Sequence, residues 1–114
     1  MDLKLNWYRK DGHVVIEVMG EVDMYTEPRL RELFIDLVNS GEYKLIVSLE
    51  KVEFFDSGGL GVLTGGLKRV RAHDGSLSLV CTAERILRIF RATGLSKVYP
   101  IFDTVEEALT AGGD

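Results

Sequence analysis

The sequence predicts an α/β fold, a mixed β-sheet packed by about four helices in the order β-β-α-β-α-β-α-β-α. Three observations carry this. The chain opens on two strand-like runs joined by Asp11-Gly12, a strong hairpin signal. After them, apolar runs alternate with segments whose apolar residues recur every three or four positions. One run, Leu45-Ile46-Val47-Ser48-Leu49, is nearly all apolar, as a central strand covered on both faces should be.

Leu3 to Tyr8 alternates Leu3, Leu5 and Trp7 with Lys4, Asn6 and Tyr8, a half-buried strand. Val14 to Met19 returns beside it, ended by Gly20, with Glu21, Val22 and Asp23 leading out. Thr26-Glu27-Pro28 opens the first helix with a capping hydroxyl, an acid and an early proline. Leu30, Leu33, Phe34, Leu37 and Val38 form its apolar stripe, and Asn39-Ser40-Gly41 stops it. Tyr43 to Leu49 is the next strand. The second helix follows the Asp56-Ser57 turn, with Leu60, Leu63, Leu67 and Val70 on one face, and runs to about Ala72 before His73-Asp74-Gly75. Leu77 to Cys81 is a short strand. Thr82 caps the third helix, with Ile86, Leu87 and Phe90 inward, Arg85, Arg88 and Arg91 more exposed, and Thr93-Gly94-Leu95 at its end. Val98 to Phe102 is the last strand, and Pro100 marks it as an edge or a strand end. Thr104-Val105-Glu106-Glu107 is a capping box for a final helix carrying Val105, Ala108 and Leu109. Gly112-Gly113-Asp114 reads as a frayed tail.

At 114 residues the chain fits one domain, 1–114, with a single core. Its 46% hydrophobic and 28% charged residues argue against disorder. A net charge of −4 argues against nucleic-acid binding, which favours a basic stripe. No apolar run approaches a membrane span, and a cytoplasmic location is expected. Cys81, the single cysteine, falls in an apolar strand and reads as a small core residue. His13 and His73, beside a turn and at a helix end, read as structural or solvated. Lys68, Arg69 and Arg71 fit a solvated face near a helix C-terminus.

The chemistry concentrates at Asp56-Ser57-Gly58-Gly59-Leu60-Gly61. Either Asp56 or Ser57 is placed to cap the second helix, at its orphan N–H groups and positive dipole end. A phosphate is at home in such a place. Gly58 and Gly59 let a partner's backbone or nucleotide approach closely. Gly58, Gly61 and Gly65 leave one helix face bare, which fits either tight packing or a binding surface. Nucleotide motifs nearly form and fail. Gly61 and Gly66 are followed by Leu67 where a P-loop needs lysine, and Thr64 stands where a dinucleotide fingerprint needs its third glycine. Phe55 replaces the first glycine of a nucleophile elbow, and neither histidine has a reason to meet Ser57, so a serine hydrolase is disfavoured. Asp23, Asp56 and Glu21 are oxygen ligands of the kind that suit Mg²⁺, but no metal site is assigned.

Asp56-Ser57-Gly58-Gly59-Leu60-Gly61 resembles the D-S-[ST]-G-L-G signature of bacterial anti-sigma factor antagonists, the STAS-domain proteins, and looks closest to actinobacterial ones. Gly20-Glu21-Val22-Asp23 with Thr26 upstream and Thr93-Gly94-Leu95 downstream match in order, so the resemblance covers nearly the whole chain. Gly58 departs from it, replacing the second hydroxyl. The resemblance implies the STAS fold, and phosphorylation at Ser57. It implies partner contacts at Asp23, Asp56, Gly58, Gly59 and Leu60, with Thr26, Thr93, Gly94 and Leu95 behind them. The implied partners are an anti-sigma factor that is also a serine kinase of the histidine-kinase-like ATPase type, and a PP2C-type phosphatase. ATP and Mg²⁺ belong to the kinase, so the chain itself holds no cofactor and is not an enzyme. The rival within the family is a scaffold module that is never phosphorylated.

Overall fold

The computed structural model describes residues 2–112. Five strands, β1 (Leu3–Lys10), β2 (His13–Val22), β3 (Lys44–Phe55), β4 (Ser76–Val80) and β5 (Ile101–Phe102), form one sheet in the order β1-β2-β3-β4-β5. β1 runs antiparallel to β2, and the other neighbours are parallel, so the sheet is mixed. The helices are α1 (Glu27–Asn39), α2 (Ser57–Arg71), α3 (Glu84–Ala92) and α4 (Val105–Gly112). The expected order holds, with β3 central and β5 at an edge.

Strand alternation places Val14, Ile16, Val18, Leu45, Val47, Leu49, Leu77 and Leu79 on one face, in a cluster with buried residues of α1, α2 and α3. Val15, Ile46 and Val80 point the other way and are covered by Ala108 and Leu109 of α4. Central β3 is therefore buried on both faces, as its apolar run requires. Cys81 is buried, and burial pushes its thiol up from the ordinary range. His13 is buried with Nδ1 2.9 Å from the Asp11 carbonyl, and His73 stacks flat on Tyr43 at 4.2 Å.

Several boundaries differ from the expected ones. β3 does not stop at Leu49 but continues to Phe55. Its register against β2 slips twice, between Glu17 and Met19 and between Gly20 and Glu21, so that β3 carries two extra residues. Buried positions then fall at Leu49, Val52 and Phe55, a spacing that simple alternation does not reveal. β2 likewise runs through Gly20 to Val22. The proposed strand over Val98–Phe102 shrinks to Ile101–Phe102, because Leu95–Lys97 forms a 3-10 turn and Tyr99 turns into the core. Thr82 does not cap α3; its hydroxyl donates to Glu50 Oε2 and Ala83 holds the cap position. The Thr104 hydroxyl does accept the Glu107 amide at 3.1 Å. Gly112 belongs to α4, while Gly113 and Asp114 lie outside the described residues.

The glycines of α2 divide into two sets. A Cβ on Gly59 would lie 2.5 Å from the Phe55 ring, and one on Gly66 2.9 Å from the Phe34 ring, so these two permit close packing. Gly61 has nothing within 4 Å, and Gly65 meets only Arg69. The bare Gly58-Gly61-Gly65 face is thus not a packing seam beyond Gly58. Gly61→Ala is expected to stabilise by about 0.5–1 kcal/mol through helix propensity alone. Gly66→Ala is expected to destabilise by about 1–2 kcal/mol, overpacking outweighing that gain. Urea unfolding at constant m-value checks both signs.

Candidate functional site

The site is the turn from β3 into α2, at the carboxyl edge of the sheet where open α/β folds place their ligands. The Asp56 amide bonds the Val22 carbonyl at 3.3 Å, fixing the turn to the end of β2. Asp56, in extended backbone conformation, is the helix cap. Its Oδ1 accepts the Gly58 amide at 2.8 Å, and its carbonyl accepts the amides of Gly59 and Leu60. The alternatives left open by the sequence are resolved: the aspartate caps, and Ser57 is the first helical residue. Ser57 is exposed, and its hydroxyl has no hydrogen-bond partner among the described residues. A capping serine would have spent that oxygen on the helix. This one is left to solvent.

Beside the turn stands the loop leaving β2. Asp23 Oδ1 accepts the amides of Tyr25 at 2.8 Å and Thr26 at 3.0 Å. The Thr26 hydroxyl accepts the Asp23 amide at 3.0 Å and donates to the Glu21 carbonyl at 2.8 Å. Contrary to the expectation from sequence, Thr26 does not cap α1 with its side chain; the carboxylate of Asp23 takes the amides ahead of that helix. The Thr26 amide, with those of Tyr25 and the Thr26 hydroxyl behind it, holds the Asp23 carboxyl below the usual carboxylate range. The loop packs on α2: a Cβ at Gly58 would lie 3.3 Å from the Met24 amide nitrogen and 3.4 Å from the Asp23 carbonyl carbon.

A family model described as the STAS domain matches residues 4–108. The chain belongs to the STAS domain family. An anti-sigma-B factor antagonist of Bacillus subtilis is 35% identical over 101 residues, spanning 89% of this chain and 92% of its own. A crystal structure of an anti-sigma factor antagonist from Mycobacterium paratuberculosis superposes with TM-score 0.85 at 32% identity, covering 99% of this chain and 96% of the other. A putative anti-sigma factor antagonist from Thermotoga maritima gives 0.91 at 26% identity, covering 96% and 95%.

In this STAS domain the structure brings Asp23, Asp56, Ser57 and Gly58 together. Gly59 lies over the Phe55 ring, and Leu60 is half-buried against the core. Thr93, Gly94 and Leu95 bond locally at the end of α3; Gly94 is left-handed and the Thr93 hydroxyl donates to the Ile89 carbonyl. They connect to the turn through the core, where Phe90 packs on Phe55. Among the described residues no group of three His, Cys, Asp or Glu is arranged to hold a metal ion, and no helix is long and apolar enough to cross a membrane. Sequence reasoning passed over Met24 and Tyr25, which stand in the loop with 68% and 83% of their surface exposed. Their signal was an adjacent pair of large apolar residues between two hydrogen-bonding ones.

Proposed function

We propose that this STAS protein is an anti-sigma factor antagonist controlled by phosphorylation of Ser57. Unphosphorylated, it binds an anti-sigma factor of the histidine-kinase-like ATPase type, which then releases its sigma factor. That anti-sigma factor supplies ATP and Mg²⁺. The Ser57 oxygen takes the γ-phosphoryl group as the bond to ADP breaks, and the hydroxyl proton leaves to a base on the kinase. A PP2C-type phosphatase reverses the step by hydrolysis. The protein is a kinase substrate and binding module in the cytoplasm, not an enzyme. Asp56, Gly58 and Leu60 touch the partner, while Gly59 keeps the turn low over Phe55.

The observation that carries this reading is the unbonded, exposed Ser57 hydroxyl beside a helix that Asp56 already caps. The relatives named as anti-sigma factor antagonists support it. Intact-mass analysis of protein recovered from its own host is the test. A species one phosphate heavier, absent from Ser57→Ala, is expected. Wild type unmodified in both growth and stress would overturn the switch and favour a scaffold role.

A further inference from the structure

Met24 and Tyr25 are the two most exposed large apolar side chains among the described residues. Single exposed apolar residues are ordinary, but these are adjacent and the loop that carries them is hydrogen-bonded into shape. The Tyr25 amide is tied to Asp23 Oδ1, the Glu27 amide to the Asp23 carbonyl at 2.9 Å, and the Thr26 hydroxyl to both ends of the loop. The Met24 backbone rests against the Gly58 position, one residue from Ser57. A backbone already ordered has little freedom of its own to lose on binding, so the pair costs only its side-chain rotamers when it enters a partner. Methionine adapts to an irregular cleft, and tyrosine brings a large ring on two torsions. The neighbouring carboxylates are Asp23, which precedes the pair, and Asp56, whose Oδ1 lies against the same Gly58 position as the Met24 amide.

We propose that Met24 and Tyr25 anchor the partner, entering an apolar cleft with a basic rim on the same anti-sigma factor kinase that modifies Ser57. Asp23 and Thr26 are positioning residues: Thr26 is buried with its hydroxyl committed to the loop, and acts through the pair it presents. This inference rests on the proposed function above.

The test titrates the protein into each purified histidine-kinase-type anti-sigma factor of its host, with ADP and Mg²⁺, by calorimetry. Tyr25→Ala is expected to weaken binding by about 30-fold and Met24→Ala by about 10-fold, with thermal unfolding unchanged. Tyr8→Ala removes another exposed tyrosine, on β1 toward the opposite end of the sheet, and should leave affinity unchanged. In the phosphorylation assay Tyr25→Ala should raise KM and spare kcat, because an anchor binds ground and transition states alike. Thr26→Val should lose affinity and Thr26→Ser restore it. A kinase that binds wild type, rejects Ser57→Asp and accepts Tyr25→Ala within about threefold overturns the anchor and leaves the proposed function standing. Tyr25-dependent self-association, seen by sedimentation without any effect on kinase binding, also overturns it. If no such kinase binds wild type, both readings fall.

Discussion

Phosphorylated at Ser57, the protein is expected to bind its anti-sigma factor at least about 100-fold more weakly than the unmodified form, with its unfolding midpoint unchanged. The two halves have separate causes. Ser57 is exposed at the first turn of α2, so the phosphate displaces no packed group and disturbs no hydrogen bond of the serine oxygen. The turn offers the new charge little. The amides of Gly58, Gly59 and Leu60, which would otherwise receive an anion at a helix N-terminus, are already held by Asp56. No basic side chain stands in the turn or in the loop from Asp23 to Thr26. About −1.5 to −2 charges therefore stay on the surface, next to two carboxylates, and a partner must desolvate them to bind. Calorimetry with phosphorylated protein, Ser57→Asp and Ser57→Ala checks this. The alanine variant should bind within about threefold of wild type, since no charge is added at position 57. An unaltered affinity for the phosphorylated form would sink the electrostatic argument, and so would loss of amide dispersion in its NMR spectrum.

The sequence made the architecture readable because periodicity reports burial, and burial organises this fold. The apolar run of β3, the stripes of α1 and α2 and the Thr104 hydroxyl cap of α4 each reappear as packed or bonded elements. It failed where backbone geometry departs from regular spacing. The double slip of β3 hid six residues of strand, since Leu49, Val52 and Phe55 step by three. Capping was misassigned for a similar reason. Thr26 and Thr82 are good caps by residue type, yet Asp23 takes the amides ahead of α1 and the Thr82 hydroxyl goes to Glu50, while of the Asp56-Ser57 pair it is the aspartate that caps α2. At the site, Asp56-Ser57 was legible as a turn, but the freedom of the Ser57 oxygen was not, because it depends on which neighbour caps. Met24 and Tyr25 were passed over because exposure of an apolar residue depends on where the loop folds.

Gly20→Ala is expected to cost about 2–4 kcal/mol, and to weaken partner binding as well. Gly20 lies inside β2 with φ at +98°, in the left-handed region that costs an L-residue about 1–2 kcal/mol. A Cβ there would also stand 2.2 Å from the Asp2 carbonyl oxygen, a backbone atom that accepts the Glu21 amide at 2.9 Å. Relief would require moving that strand end and its hydrogen bond, so overpacking adds to conformational strain. Gly41→Ala separates the two terms. Gly41 has φ at +90° and nothing within 4 Å, so it should show the conformational cost alone. Urea unfolding of both variants measures the difference, and equal losses would mean that the Asp2 segment yields freely. The functional consequence follows from position. Gly20 sits at the second register slip, where Glu21 and Val22 pair with Phe54 and Phe55 and deliver both the Asp23–Thr26 loop and the Asp56 turn. Displacing it moves the Glu21 carbonyl that holds Thr26 and the Val22 carbonyl that holds Asp56. Affinity measured on the folded fraction should therefore fall for Gly20→Ala and not for Gly41→Ala, which makes this glycine the joint between the stability of the sheet and the geometry of the Asp56-Ser57 turn.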